Sequence, residues 1–415
     1  MTISFSRIGT ANTYDSSIRN ISARGTALSN LQENLTSGKR VVRASDDPTA
    51  AANAERAMTR ISRIAADQRA LEAQRNSIAQ AESTLGEATD VLQRFRELLV
   101  SAGNGINSAA ERKSIAIELQ GLRDQVFALS NTKDTNGLPL FSALGSALSP
   151  FVGPQATAPD YTFNGLPGQT ASSDVAIPFT LDGDGAFMLQ SARDGVYNVQ
   201  ISTMPPSHSL STSGVTLSNP TLLTGDSYTI DIVSVDTTTI GGSSIVTYDV
   251  TSSSGATVNW VAPSYPSNTT AKIDVQGMAG LSMTLSGTPA AGDRISVAAS
   301  PSLFSVLDNA IKDIGGASDS NSATQAVSQA LHNIDIGMAR ISAVRGQAGD
   351  LLNRADRISS NQENRSIQLE ADRSRAEDLD MVQGISDFNN QQTGYSAALQ
   401  TYAKVQQLSL FNYIS

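Results

Sequence analysis

The sequence predicts a mainly α protein with an inserted all-β domain, its terminal helices paired into a coiled-coil rod. Three observations predict this. From Ala57 an apolar residue returns at every seventh position, at Ile64, Leu71, Ile78, Leu85, Leu92 and Leu99, the repeat of a helix that buries one seam. Towards the other end Val327, Leu331, Ile334, Met338, Ile341, Ala348, Leu352 and Ala355 repeat the four-three spacing. Between the two stripes the period changes to two and Gly, Pro and Ser become frequent, the pattern of short strands joined by turns.

Taken in order, Ile18, Ile21, Gly25, Leu28, Leu31 and Leu35 define a first helical stripe, and Gly38 stands where a C-terminal cap belongs. Asp47 before Pro48 reads as an N-cap with proline at the first helical position. The helix it opens is predicted to run to about residue 101, where Gly103-Asn104-Gly105 ends it. A shorter helix carries Ile115, Leu119, Leu122, Val126 and Leu129, and Thr135-Asn136-Gly137 closes the first helical half. Alternating runs follow at Tyr228-Ile230-Ile232, Val246-Tyr248-Val250, Val258-Trp260, Ile273-Val275, Leu281-Met283-Leu285 and Ile295-Val297. Ser300-Pro301 restarts helix through Leu303, Leu307, Ala310, Ile311 and Ile314, closed by Gly315-Gly316. A long helix is predicted from about 323 towards 373. A final amphipathic segment holds Met381, Ile385, Phe388, Tyr395, Leu399, Tyr402, Leu408 and Phe411.

Composition narrows the function classes. Of 415 residues, 40% are hydrophobic but only 5% aromatic, so slender alanine-rich helix packing is expected over a bulky core. A net charge of −10 argues against nucleic-acid binding, which needs basic surface to neutralise phosphates. The chain has no cysteine, which removes disulfides and thiolate chemistry, and its two histidines, His208 and His332, are too few and too far apart for a ligand pair. Residues 1–10 hold one arginine and no apolar run, so no cleavable secretory signal is expected, and no stretch is long and apolar enough to predict membrane insertion. Export, if it occurs, takes a route without signal cleavage.

Apparent chemical motifs dissolve on inspection. Asp182-Gly183-Asp184-Gly185 opens like a calcium loop, but Ala186 occupies the next ligand position and no glutamate closes the loop, so a turn between strands is expected. Gly287 and Gly292 have phosphate-loop spacing with Asp293 where lysine belongs, so a hairpin turn is expected. Ser45-Asp46-Asp47 is explained by helix capping. Lone Trp260 reads as a core residue and His332 as a solvated one. No nucleophile, base and orienting group come together, so no catalytic, cofactor-binding or metal residue is assigned and no enzyme activity is expected.

The terminal arms need partners. Ordering a backbone opposes folding by about 1–2 kcal/mol per residue, and a one-stripe helix offsets this from only one residue in three or four. Residues 1–44 carry Arg7, Arg19, Arg24, Lys39, Arg40 and Arg43 against Asp15 and Glu33, net +4. Residues 371–415 carry Arg373, Arg375 and Lys404 against Asp372, Glu377, Asp378, Asp380 and Asp387, net −2. Opposite signs favour their pairing, although exposed pairs contribute little. Phe388, Tyr395, Tyr402 and Phe411 offer more apolar surface than one thin helix covers, so neighbouring copies are the expected cover. The expected assembly surface is therefore Ile18, Ile21, Leu28, Leu31, Leu35, Met381, Ile385, Phe388, Tyr395, Leu399, Tyr402, Leu408, Leu410, Phe411 and Tyr413.

The ends also carry a resemblance. Leu35-Thr36-Ser37-Gly38-Lys39-Arg40-Val41, followed by Ser45-Asp46-Asp47-Pro48, resembles the N-terminal signature of the flagellin superfamily. Gln391-Gln392-Thr393, Ala397-Ala398-Leu399 and Leu408-Ser409-Leu410-Phe411-Asn412-Tyr413 resemble the C-terminus of that superfamily's junction branch. About 100 residues at each end are covered. The resemblance implies a flagellin-like multidomain architecture: an inner coiled-coil assembly domain from 1–44 and 371–415, a helical rod with β-hairpin elements from 45–204 and 300–370, and an outer β-rich insert at 205–299. It implies no cofactor. It implies a structural adaptor at the hook–filament junction of the extracellular bacterial flagellum. The implied partners are further copies of itself, hook-associated protein 1, flagellin, a cytoplasmic export chaperone and the flagellar type III export apparatus. The closest rival is a filament flagellin, against which Asp46-Asp47-Pro48 and Leu410-Phe411-Asn412-Tyr413 argue. A rival of another class is a secreted surface adhesin. The insert's Asp226, Asp231, Asp236, Asp249, Asp274 and Asp293 against Lys272 and Arg294, net −4, are compatible with it.

Overall fold

The computed structural model describes residues 10–157, 159–202, 210–240, 243–266, 269–317 and 320–414, with side chains at all of these except 10–13, 238–240, 405 and 407–414. Its helices and strands follow the predicted order. Helices α1 (Thr10–Ser37), α2 (Pro48–Ala102) and α3 (Ala109–Ser130) come first. A small ribbon, β1 (Phe151–Val152) with β2 (Thr162–Phe163), and one-turn helices α4 (Gly183–Phe187) and α5 (Ser191–Asp194) follow. Next come β3 (Tyr197–Ser202), β4 (Leu210–Thr212), β5 (Thr216–Leu217), β6 (Tyr228–Ile240), β7 (Ser243–Ser252), β8 (Thr257–Val261), β9 (Tyr265–Pro266), β10 (Ala271–Val275), β11 (Leu281–Gly287) and β12 (Arg294–Ala299). Helices α6 (Leu303–Gly316), α7 (Ser320–Glu377) and α8 (Met381–Ile414) complete the chain. Two compact units result, Met1–Arg69 with Ser359–Ser415, and Ala70–Ile358, the division falling inside α2 and α7.

In the unit Ala70–Ile358 the heptad stripe does what its spacing predicts. Leu71, Ile78, Leu85, Leu92 and Leu99 are all buried, as are Val327, Ile334, Ile341, Ala348 and Ala355 on α7. These two rows share one core with α3 and α6. Flanking ion pairs Arg75–Asp356 at 3.1 Å, Arg345–Glu82 at 2.6 Å and Arg96–Asp335 at 3.0 Å tie α2 to α7, each exposed enough to add little. Gly337 interrupts α7 because a Cβ there would stand 2.5 Å from Leu303 Cδ1; the loss of helix propensity, about 1 kcal/mol against alanine, admits a buried leucine in exchange. Helix α3 opens on a reciprocal capping box, with Ser108 Oγ accepting from Glu111 N–H and Glu111 Oε2 accepting from Ser108 N–H at 2.6 Å.

Where α3 and α6 meet the ribbon, Phe127, Phe151, Tyr161, Phe187 and Phe304 pack edge-on and stacked. One charged group is enclosed beside them. Arg123 is 8% exposed; its Nε lies 2.9 Å from Asp308 Oδ1, its Nη1 donates to Tyr161 OH, and Tyr161 OH donates to Asp308 Oδ2 at 2.6 Å. Burial together with the adjacent Asp308 carboxylate raises the Tyr161 phenol well above its usual range, so it keeps its proton and donates it to Asp308 while its oxygen accepts from Arg123.

The β region of this unit is two antiparallel sheets over a second core. One has the order β3-β12-β6-β7-β8, with β9 also on β7; the other is β10-β11-β4, with β5 also on β11. Tyr228, Ile230, Ile232, Val246, Tyr248, Val250, Ile295 and Val297 from the first sheet meet Ile273, Val275, Met283 and Leu285 from the second. Trp260 is partly buried against that core, and Val258 is 46% exposed, because β8 is an edge strand. Tyr248 OH accepts from Gln276 N–H at 2.9 Å and Tyr228 OH from Ala279 N–H at 3.2 Å, so both buried phenols keep a partner.

Three local expectations are corrected. Asp182–Gly185 is no turn between strands: Asp182 is the N-cap residue of α4, whose small residues Gly183, Gly185 and Ala186 let it sink into the core. The Gly287–Gly292 turn does not close a hairpin, since β11 and β12 belong to different sheets; buried Asp293 holds the crossover by accepting from Ala290 N–H at 2.8 Å. His332 is half-buried on α7, next to Gly214, where a Cβ would stand 3.6 Å from its ring. His208 lies outside the described residues.

Two measurements test this account. Asp308→Ala strips Arg123 of its main counter-charge; the loss should be about 2 kcal/mol in urea denaturation, below the 3–5 kcal/mol of a fully enclosed pair because Asp124 remains beside Arg123. Asp313 on α6 is pushed up to about 6 by burial, with Lys312 opposing. Its folded pKa exceeds the unfolded one, so the fold holds the proton longer than the unfolded chain does. Stability should fall as pH rises from about 4 to about 6 and then level off, and Asp313→Asn should flatten that segment of the melting-temperature profile.

Candidate assembly interface

The unit formed by Met1–Arg69 and Ser359–Ser415 contains every residue of the N-terminal signature and both terminal arms. Its chain reversals are built from the signature upward. Gly38 ends α1 with φ +70°, a conformation open to glycine at no steric cost. Ser37 Oγ accepts from Lys39 N–H at 3.4 Å. Asp46 Oδ2 accepts from Val42 and Arg43 N–H, and Ser45 Oγ donates to Asp46 Oδ1. Asp47 Oδ1 accepts from Ala50 N–H at 3.0 Å and from Thr49 N–H and hydroxyl, with Pro48 as the first helical residue of α2. Those hydrogen bonds, the one from Ala50 foremost, hold the Asp47 carboxyl below its usual range. The adjacent carboxylates thus cap two successive turns.

The same residues clasp the second reversal, between α7 and α8. Lys39 and Asp378 form an antiparallel bridge. Arg40 N–H donates to Glu377 O at 2.8 Å, Val41 N–H to the same oxygen at 3.3 Å, and Leu379 N–H to Gly38 O at 2.9 Å. Arg40 Nη2 adds a bond to Ala376 O at 2.9 Å. Lys39 and Arg373 both pair with the Glu377 carboxylate, which is 8% exposed. Asp380 then caps α8 by accepting from Val382 and Gln383 N–H.

From this clasp α1 and α8 run together as an antiparallel pair. A Cβ at Gly384 would stand 2.8 Å from Leu379 Cδ2 and 3.2 Å from Leu35 Cδ2. Further out, Gly25 lies against the Tyr395 ring and Gly394 against the Arg24 guanidinium. Farther still, the Tyr14 and Tyr402 rings sit 5.3 Å apart, Tyr402 OH donates to Tyr14 OH at 2.6 Å, and Gln406 Nε2 donates to the same oxygen at 2.7 Å. A groove of about 590 Å³ runs between the two helices, lined by Ile21, Arg24, Gln391 and Tyr402 among others.

The sequence-predicted surface residues divide into two sets here. Ile21, Leu28, Leu31, Leu35, Phe388, Tyr395 and Tyr402 are half-buried. Ile18, Met381, Ile385 and Leu399 are exposed, at 45%, 47%, 49% and 42%. Val382, 82% exposed and not singled out by its sequence, joins them. The side chains of Leu408, Leu410, Phe411 and Tyr413 lie outside the described residues. No large apolar side chain among the described residues of α1 or α8 is fully buried. Sequence reasoning also missed Glu377, whose one signal is an acid beside a basic signature, and Tyr14, which stands one heptad before Ile21. Among the described residues no group of three or more acids and histidines could hold a metal, and no helix is long and apolar enough to cross a membrane.

Comparison with known proteins agrees with this architecture. Residues 8–145 match the bacterial flagellin N-terminal helical region and residues 331–414 the C-terminal helical region, together more than half of the chain. Flagellar hook-associated protein 3 of Salmonella typhimurium strain LT2 is 36% identical over 153 residues, 35% of this chain and 46% of that protein. The flagellar filament 41 kDa core protein of Borreliella burgdorferi is 34% identical over 124 residues, 30% of this chain and 37% of that protein. The match thus spans less than half the length of these relatives. The crystal structure of flagellar hook-associated protein 3 from Legionella pneumophila superposes with a TM-score of 0.60 at 25% identity, covering 76% of this chain and 97% of that one. With both terminal helical regions present and the matching helix–sheet–helix order between them, the chain belongs to the flagellin superfamily.

Proposed function

We propose that this protein is a structural adaptor of the bacterial flagellum, placed at the hook–filament junction. It would bind hook-associated protein 1 on one side and flagellin on the other, after export through the flagellar type III apparatus with a cytoplasmic chaperone and without signal cleavage. The observation that carries the reading is the exposed apolar flank of the clasped arms: Ile18, Met381, Val382, Ile385 and Leu399. Scattered single exposures need no explanation, but a row on paired helices that bury no large side chain indicates a surface awaiting cover. Its mechanism is mechanical. Each subunit covers part of its neighbour's stripe, and the lattice of helices so formed joins two others. The junction-type relatives support the placement, and the filament-type relative keeps a filament flagellin as the competing reading.

Two experiments separate these. A strain lacking this protein should bear bare hooks and release flagellin monomers into the medium; intact filaments on that strain would refute the junction role. Ile385→Asp with Leu399→Asp alters only exposed positions, so monomer stability should stay within about 1 kcal/mol, about 0.5 kcal/mol for each substitution. Filament-bearing cells in a complementation assay should nevertheless drop to near the level of the deletion strain. Full complementation would show that the flank is not an assembly surface. Removing the last ten residues should have the same effect while leaving the β region folded.

A further inference from the structure

Within the unit Ala70–Ile358, a small cavity of about 10 Å³ lies where the first sheet meets α6 and α7. Val306, Ala310, Ala326 and Ala330 form the apolar part of its wall. The polar part comes from Asn198 on β3, Ser300 just after β12, Asn309 and Asp313 on α6, and Gln329 and Asn333 on α7. The two α7 amides donate to the sheet, Gln329 Nε2 to Asn198 Oδ1 at 2.7 Å and Asn333 Nδ2 to Tyr197 O at 2.8 Å. Their oxygens remain as acceptors at the cavity. Ser300 N–H donates to Val196 O, but its hydroxyl, on a residue 2% exposed, has no partner among the described residues. Asp313 is half-buried, and its carboxylate is opposed by the charge of Lys312 without a hydrogen bond from any described residue. Interiors seldom leave such groups unpaired.

We propose that this cavity binds one water molecule, which links the Ser300 hydroxyl to the Asp313 carboxylate and to an amide oxygen of α7. Three constraints select that ligand. A cavity of about 10 Å³ admits a single water and nothing larger. Asp313 and the two α7 amide oxygens are acceptors that no protein N–H or O–H takes up, so the ligand has to donate, which excludes an anion. Water donates twice and accepts once, here from Ser300 O–H, which gives the three or so bonds usual for a buried water. A calcium or magnesium ion takes about six or more oxygens, and among the described residues no three acids or histidines gather to hold one. The site also accounts for Gln329 and Asn333, each 5% exposed, as buried polar residues on α7 outside its apolar row. Their N–H groups hold the sheet, and their oxygens complete the hydrated seam that fastens β3 and the end of β12 to α6 and α7.

Nuclear magnetic resonance of the full-length protein with labelled alanine methyls tests this. Overhauser cross-peaks from water should appear at Ala310, Ala326 and Ala330, which line the cavity, and not at Ala348 and Ala355, which are buried elsewhere in the same core. Ser300→Ala removes the hydroxyl proton that can relay such a peak, yet leaves the water its bonds to Asp313 and the α7 amide. It should therefore keep all three cross-peaks while lowering the folding equilibrium constant about fivefold, the loss of one hydrogen bond. Ser300→Val places a methyl in the water's space. It should abolish the cross-peaks and lower the folding constant further than Ser300→Ala does, because Asp313 then has no partner. Parent spectra without the cross-peaks overturn the proposal, as does their loss in Ser300→Ala, which would assign them to the hydroxyl. Those two spectra decide the matter even where Ser300→Val fails to fold. A melting temperature that rises with sodium but not with tetramethylammonium at equal ionic strength would give the cavity to a cation and overturn the proposal as well.

Discussion

A helix with one apolar face cannot stand alone in water, and the rest of this structure depends on how that face is covered. Ordering the backbone opposes folding at every residue, whereas burial favours it only along the stripe. Within the unit Ala70–Ile358 the conflict is resolved internally. The rows on α2 and α7 are closed by each other, by α3 and α6, and by the aromatic cluster around Phe304. In the other unit the two arms close only half of each other. The same seven-residue repeat therefore gives a finished core in one place and an unfinished surface in another, and the difference lies in the number of neighbouring elements.

That difference also explains where polar groups are placed. The finished core tolerates enclosed cations because each is satisfied: Arg123 by Asp308 and Tyr161 from two sides, and Arg112 by the carbonyl oxygens of Asn107 and Ala317. Among the described residues the unfinished arms bury one charge, at the clasp, where Glu377 meets Lys39 and Arg373. Elsewhere along the arms Gly25 and Gly394 face the Tyr395 ring and the Arg24 guanidinium, which lets the helices approach while Ile21, Leu28, Leu35, Phe388 and Tyr402 stay only half-buried. Such a seam is thin, and thin seams specify register poorly.

Sequence patterns made the helices legible because a seven-residue stripe sustained over many turns admits one interpretation. Asp47-Pro48 was equally readable, since capping chemistry is local and its hydrogen bonds go to the next three residues. The alternation of Tyr228, Ile230 and Ile232 announced β6, but β3, where Tyr197 and Val199 alternate in the same way, lies among the turns and glycines of α4 and α5 and was passed over. Sheet membership was not legible. Nothing in residues 287–294 says that the chain changes sheets, because strand pairing is decided by partners far away in sequence. The arm residues were identified as one apolar set, yet the division into half-buried and exposed members depends on helix rotation about the clasp. Glu377 was counted only as a charge, because its role requires knowing that residue 39 comes to residue 377.

An incomplete stripe is useful only if it is presented uniformly. Copies whose arms sat in different registers would offer their neighbours differing surfaces, and a lattice needs every copy to offer the same one. Stronger internal packing of the arms would remove that ambiguity, but it would also consume the apolar surface that neighbouring copies are proposed to cover. A clasp at the base of the arms avoids the conflict, since it specifies alignment with backbone bonds and one buried carboxylate and leaves the flank of Ile18, Ile385 and Leu399 free. Placing specificity in the turn and affinity in the stripe lets one helix pair be aligned at its base and still be unfinished.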